Sequence, residues 1–285
     1  MSGAPIMKKT LARIQFKKHF GQANHHLITS LVALHTLEKS SVNQAPEELR
    51  TAWTPKDKNA SVMRSRIFVL QSFLGWAVDS VDMYLGLLNR KPNYLQDVSL
   101  SSKLDGAGRS VLKKVTIYSD HYKINEITQA LIDVLITWRN NVFHELADNK
   151  LRSASRNTLA TKALEIAETY RGLEVSRLAD KAEKGDSLTF KETASLINAA
   201  HHFVQELDEK ILAVFDSTQF CKEATQNALD EKDQTTGFAA KYLSLTSEQR
   251  FRFLRNWLIN EYGYAEPTDA VLGECSQMKR NTSKD

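Results

Sequence analysis

Residues 136–149 read ITWRNNVFHELADN, and this stretch decides how the chain around it is read. Trp138, Val142, Phe143 and Leu146 recur at helical spacing, so the segment is a helix with much apolar surface. Yet Arg139, Asn140, Asn141 and His144 stand in its middle. An ordinary core helix has no use for them, and an ordinary surface helix would not need the four apolar residues as well.

Placed at about 100° per residue, Leu131, Leu135, Trp138, Val142 and Leu146 fall within about 80° of arc. Ile132, Ile136 and Phe143 widen that surface. Asp133, Thr137, Asn140, His144 and Asp148 form a polar stripe of similar width opposite. Apolar flanks on both sides of a polar seam predict that the seam faces protein, because the flanks need burial and buried polar groups need partners. The helix is expected from about Lys123 to Ala147.

The rest of the chain extends the helical reading. Only 11 Gly and 5 Pro occur in 285 residues, so long segments contain no helix breaker. Helices are expected over 7–40, 62–88, 156–183, 190–215 and 247–262. Thr189 with Glu192 and Thr246 with Gln249 have the spacing of capping boxes for the last two. Residues 45–59 and 92–108 read as connectors, 109–119 as a short helix or irregular piece in which VTIYS (115–119) is the one strand signal, and the tail beyond Pro267 as polar and frayed. The expected fold is all-α: a multi-helix bundle over 1–215, with helix 7–40 packed on it, and a C-terminal helical extension over 216–285.

Composition excludes several classes. Two cysteines, Cys221 and Cys275, lie outside any ligand spacing, which predicts neither a zinc site nor a disulfide framework. The formal charge of +4 permits a polyanionic partner without demanding one. The apolar run 67–88 carries Asp79 and Asp82, which disfavours a membrane span. MSGAPIMKKT lacks the apolar core of a signal peptide, so the expected location is cytoplasmic. RFRFLRNW (250–257) interleaves basic and aromatic residues, but on a helix Phe253, Leu254, Trp257 and Leu258 form a plain packing face. His25-His26 and His201-His202 put neighbours about 100° apart, poor geometry for one metal; one of each pair is expected packed and the other solvated.

The polar residues of 136–149 have a chemical use. A histidine transfers protons near neutral pH, and an arginine braces a phosphate and the charge developing on it. An asparagine orients either group. These are the parts required when a ribose 2′-hydroxyl attacks the adjacent phosphate, a reaction that needs no metal or other cofactor. The competing reading is structural, since a lone helical histidine is more often packed than catalytic and Arg-x4-His spacing recurs by chance.

WRNNVFHELADN also resembles the hallmark of the HEPN superfamily: Arg139, the polar Asn140, and His144 after four intervening residues. The apolar stretch 73–88, with its acidic residues and nearby aromatic, and the helix over 188–211 are softer matches. The resemblance covers roughly 60–215. It implies a compact helical bundle and, in many members, a metal-independent endoribonuclease acting as a homodimer with the two motifs facing one another. It also implies a setting of toxin–antitoxin or antiviral defence, with an antitoxin or regulatory protein as possible partner. Arg139 and His144 would be the catalytic pair with Asn140 orienting; Asp79, Asp82 and Asn141 would support them. On helix 62–88, Ser72, Gly75, Asp79, Asp82 and Gly86 share one narrow face, expected to meet the polar seam so that Asp79 or Asp82 reaches Arg139 or His144; the alternative is that these aspartates pair with structural arginines. Other members of the superfamily are inactive, so a helical module that binds a nucleotide or protein partner is the alternative.

Overall fold

The computed structural model describes residues 7–144, 148–231, 237–264 and 267–280. The described residues form thirteen α-helices and one 3-10 turn, Glu47–Leu49, with no strand among them. The helices are α1 (Leu11–Lys39), α2 (Lys58–Leu88), α3 (Val98–Gly106), α4 (Val111–Tyr122), α5 (Glu126–Phe143), α6 (Ser153–Thr161) and α7 (Ala163–Thr169). They continue with α8 (Val175–Lys184), α9 (Phe190–Ala213), α10 (Ser217–Asp230), α11 (Phe238–Ser244), α12 (Ser247–Tyr262) and α13 (Asp269–Ser276). The all-α expectation holds.

Local chemistry explains most boundaries. Thr246 and Gln249 close the expected capping box of α12, and Gly263 ends that helix in the left-handed region at φ 64°. Thr189 and Glu192 exchange the corresponding pair of bonds at the start of α9. Gly185 ends α8 at φ 69°.

Three expectations are corrected and one open reading is decided. Of the readings of 109–119 the helix is found: VTIYS is part of α4, with Val115 and Tyr118 buried on one face, so packing overrides the β-propensity of the run. The loop 92–108 contains α3, because the Asp97 carboxylate caps the Ser99 and Leu100 N–H groups. The single helix 156–183 is three shorter ones, broken around Lys162 and at Tyr170–Glu174, where Arg171 and Gly172 have positive φ. The tail beyond Pro267 holds α13, capped by Thr268 and anchored by buried Val271, Leu272 and Cys275.

The chain divides into two compact units built from separated stretches. One comprises the described parts of Met1–Gln15, Met83–Lys123 and Gln205–Asp285; the other comprises Phe16–Asp82 and the described parts of Ile124–Val204. The described residues of Gln205–Asp285 group with stretches from the beginning and the middle of the chain.

In the first unit a buried carboxylate, Asp208, accepts from the Thr10 N–H at 3.2 Å, from the Thr10 hydroxyl, and from the Tyr84 hydroxyl at 3.3 Å. Arg13 approaches it at 3.7 Å. Burial still holds its carboxyl above the usual range, against those partners. Cys221 and Cys275 are buried and free, and burial pushes the Cys221 thiol up to about 12. The basic-aromatic stretch of α12 packs as its pattern predicts: Phe238 lies 4.3 Å from Trp257 and 5.2 Å from Phe253, while Arg252 and Arg255 pair outward with Glu248 and Asp269.

In the second unit α5 is the central element, packed chiefly against α6 and α8. Every residue from Ala130 to Trp138 is buried. The paired Phe16 and Phe20 rings take the edge of His201, and Phe20 also meets Phe73. His201 is thus packed and its neighbour His202 exposed, as expected of that pair; His25 and His26 are both exposed, so that pair departs from the expectation.

Candidate functional site

The helix carrying the Arg-Asn-x3-His residues is shorter than its pattern predicts. Lys123 closes α4 in the left-handed region, Asn125 caps α5 through the Ile127 and Thr128 N–H groups, and α5 ends at Phe143. Leu146 and Ala147 lie outside the described residues. His144 is the C-cap, extended at φ −121°, ψ 104°, with its N–H on the Asn140 carbonyl at 3.1 Å. Consecutive asparagines, a β-branched valine and a histidine are weak helix formers, so intrinsic propensity falls where the helix stops.

A tertiary clamp sets that end. The Asn141 side-chain N–H₂ donates to the carbonyls of Asn149 (2.9 Å), Ala182 (3.0 Å) and Glu183 (3.2 Å). Its Oδ1 accepts from the Asn149 backbone N–H at 2.8 Å and side chain at 3.1 Å. Trp138 adds a bond from its indole to the Asp186 carbonyl at 2.9 Å. At Gly185 a Cβ would lie 3.3 Å from the Asn141 carbonyl oxygen. Asn141 therefore pins α5 to the end of α8.

The polar seam is corrected in part. Asp133 is fully buried and takes the Arg152 Nε–H at 2.9 Å; its other oxygen has no hydrogen-bond partner among the described residues. Thr137 is also buried. The upper seam thus faces the start of α6, not α2. Asp148, expected on the seam, lies beyond the helix, exposed and paired with Lys150 at 2.6 Å.

The side of α5 that meets α2 is the one bearing Arg139 and Phe143. An added Cβ at Gly75 would lie 2.9 Å from Phe143 Cζ, so the ring occupies the space the missing side chain leaves. One turn on, the Arg139 Nη2 donates to Asp79 Oδ1 at 3.1 Å. Its Nη1 donates to Asn140 Oδ1 at 3.2 Å. The guanidinium is 26% exposed and the Asp79 carboxylate 64%, so the pair sits at the surface and its net energy is under about 1 kcal/mol. Its consequence is geometric. A guanidinium has five N–H donors, and two bonds fix its plane while leaving others free.

Asp79, Arg139 and Asn140 are thus joined in one chain of bonds. Asp82 is not bonded to Arg139, and it lies half-buried on α2. His144 is exposed, and its imidazole makes no hydrogen bond or ion pair among the described residues. Asn141 belongs to the clamp. Two aromatic side chains flank the centre: Phe143, read from its spacing as apolar surface but 49% exposed, and Trp76, which the spacing did not single out, 46% exposed and three residues before Asp79. The signal for Trp76 in the sequence is its distance along the helix from Asp79.

Among the described residues no group of three or more His, Cys, Asp or Glu is arranged to hold a metal ion, and no helix is long and apolar enough to cross a membrane. Compared with protein-family models, with curated proteins and with solved structures, the chain gives no match.

Proposed function

We propose that the protein is a metal-independent endoribonuclease in which a ribose 2′-hydroxyl attacks the neighbouring phosphate. The observation that carries this reading is the Asp79–Arg139–Asn140 chain at the end of α5, where His144 is exposed and its imidazole has no hydrogen-bond or ion-pair partner among the described residues. Arg139, oriented from behind by Asp79, offers its remaining N–H groups to the phosphate and to charge that grows on it. His144, open to solvent, exchanges the proton of the 2′-hydroxyl or of the leaving 5′-oxygen. Asn140 holds the guanidinium plane.

Arg139 and His144 lie five residues apart at the end of α5 and share no bond. In this reading a second copy completes the centre: the Arg139 of one protomer and the His144 of its partner flank one phosphate in a homodimer. The RNA is single-stranded or looped at the cut, because in-line attack needs the backbone free to turn. The biological setting proposed with this activity is a toxin or antiviral effector in the cytoplasm, restrained by an antitoxin or regulatory protein.

The separation of His144 from Arg139 favours one other reading, an inactive helical module whose guanidinium binds a nucleotide or a protein carboxylate. Incubating a mixed RNA pool with the protein in EDTA, beside Arg139→Ala and His144→Ala, separates the two. Cleavage by the wild type alone, leaving cyclic-phosphate ends, supports the nuclease; binding without cleavage supports the module.

A further inference from the structure

Between α1 and α2 lies a groove of about 380 Å³, a volume typical of sites for small organic groups. Its floor is apolar, with buried Leu27 and Phe73 beside Val69. Its rim carries hydrogen-bonding groups, Gln22, His26 and Ser72 among them, and no carboxylate lines it. Two aromatic side chains stand open at its α2 wall: Phe68, 69% exposed, and Trp76, 46% exposed.

Trp76 is a fixed platform. Its indole stacks on the His19 ring at 4.5 Å with the planes 15° apart. His19 Nδ1 in turn lies 3.0 Å from Ser80 Oγ, and the Ser80 hydroxyl donates to the Trp76 carbonyl at 2.8 Å. One side of the ring system is held by the protein and much of the rest faces solvent.

The groove leads to the candidate centre. Phe68, Ser72, Gly75 and Asp79 follow one stripe of α2, at i, i+4, i+7 and i+11, with Trp76 at its edge. The distance from Phe68 to Asp79 along the axis is about 16 Å. Phe143 covers Gly75 on that stripe, and Asp79 holds Arg139. Arg64, one turn before Phe68, and Lys18, one turn before Gln22, are exposed cations with no ion-pair partner among the described residues. Open aromatic faces interleaved with free cations, ending at a guanidinium, are what a single nucleic-acid strand requires.

We propose that the α1–α2 groove receives an unstacked base of single-stranded RNA, stacked on Trp76, while the backbone continues toward Arg139. This rests on the ribonuclease reading and specifies how its substrate is held. A partner helix fits less well: the groove spans about two turns of α1, Gln22 to Ser30, which holds anchors at i, i+4 and i+7 and leaves almost no length for flanking contacts. A second copy of the chain would bring Arg64 and Lys18 against the same cations.

The test uses full-length His144→Ala protein, which leaves the RNA intact, and a labelled single-stranded RNA read by fluorescence anisotropy. The comparison probe is the same backbone made of abasic nucleotides. Trp76→Ala is expected to weaken binding of the intact strand about 10-fold, with little effect on the abasic one, and Trp76→Phe to restore most of it. Phe68→Ala, at a more exposed position, gives a second reading if Trp76→Ala melts early. Equal binding of the intact strand by the parent, Trp76→Ala and Phe68→Ala overturns the proposal. So does a dimer, seen by sedimentation, that Trp76→Ala splits without changing RNA affinity, which would assign the groove to a second copy. Cleavage is measured separately with His144 restored. Cleavage that Trp76→Ala leaves unchanged in KM and kcat keeps the nuclease and rejects the groove; base-dependent binding without cleavage keeps the groove and rejects the nuclease.

Discussion

Arg139 meets Asp79 across two helices, Nη2 to Oδ1 at 3.1 Å, and this bond determines which way the guanidinium faces. Asp79 is the more exposed partner, at 64% against 26%. The pair therefore adds little to stability, and its effect on any chemistry at Arg139 is one of orientation.

Asp79→Asn is expected to leave the thermal midpoint nearly unchanged and to lower RNA cleavage about 10-fold, because the amide oxygen still accepts from Nη2 but without charge. Arg139→Ala and His144→Ala are each expected to lower cleavage by about 100-fold or more with the fold intact, the range for removing a charge-stabilising donor or a proton-transfer group. Circular dichroism and melting measured alongside cleavage decide the matter: if the Arg139 and His144 variants unfold, both residues are structural.

Asn141 behaves in the opposite way. Its five hydrogen bonds hold the end of α5 to Asn149, Ala182 and Glu183. Asn141→Ala removes them together, and at about 1 kcal/mol each, discounted for bonds that water replaces, the expected loss is about 2–3 kcal/mol. The denaturant midpoint should drop while the slope stays constant. Full stability with lost cleavage would instead place Asn141 in the catalytic machinery.

Arg152 is expected to be the most sensitive surface-reaching residue of the second unit. Its Nε–H bonds Asp133, a carboxylate with no exposure and one oxygen that lacks a partner among the described residues. Arg152→Ala strands that charge and should cost about 3–5 kcal/mol. Asp133→Asn in the Arg152→Ala background should recover much of the loss, since the buried charge disappears. A loss in the double variant as large as in the single one would show that Arg152 acts through other contacts.

The sequence made some of this legible and hid the rest for identifiable reasons. Asp79 reaching Arg139 could be anticipated because a face of Ser72, Gly75 and Asp79 admits a close neighbour, and that inference depends only on helical period. The α12 cap was readable for the same reason: Thr246 and Gln249 act within one turn. The end of α5 was not, because Asn141 finds its partners about forty residues away at Ala182 and Glu183, and no local rule encodes that. Extrapolating the period past Phe143 placed His144 and Asp148 on a helix that had already ended. Asp133 was read as facing α2 because angle on a helix wheel does not reveal which neighbour lies there; Arg152 settled it. The two compact units escaped a linear reading because each is assembled from separated stretches.

Stability should fall steeply on the alkaline side. Burial raises the hydroxyl pKa of Tyr84 and Tyr118 well above the ordinary phenol value, with Asp208 adding to the effect at Tyr84. Burial pushes Tyr122, Tyr170 and Tyr264 up to about 12 and the Cys221 thiol likewise. In each case the folded chain keeps a proton that the unfolded chain gives up, from near pH 9 for the thiol and pH 10 for the phenols. The unfolded state then binds fewer protons, so the slope of stability against pH is negative, about 1.4 kcal/mol per pH unit for each group fully engaged. The contribution is complete below those values and lost as pH rises through the folded ones. The melting temperature should be level between pH 7 and about 9 and fall progressively above it. Phenolate absorbance should lag in the folded protein and appear with unfolding. Tyr84→Phe, which removes one such proton and the 3.3 Å bond to Asp208, should lower stability by about 1 kcal/mol at pH 7 and make the alkaline decline shallower. Phenolate signal developing fully near pH 10 with the helical content intact would mean that these hydroxyls reach solvent, and the buried arrangement around Asp208 would have to be abandoned.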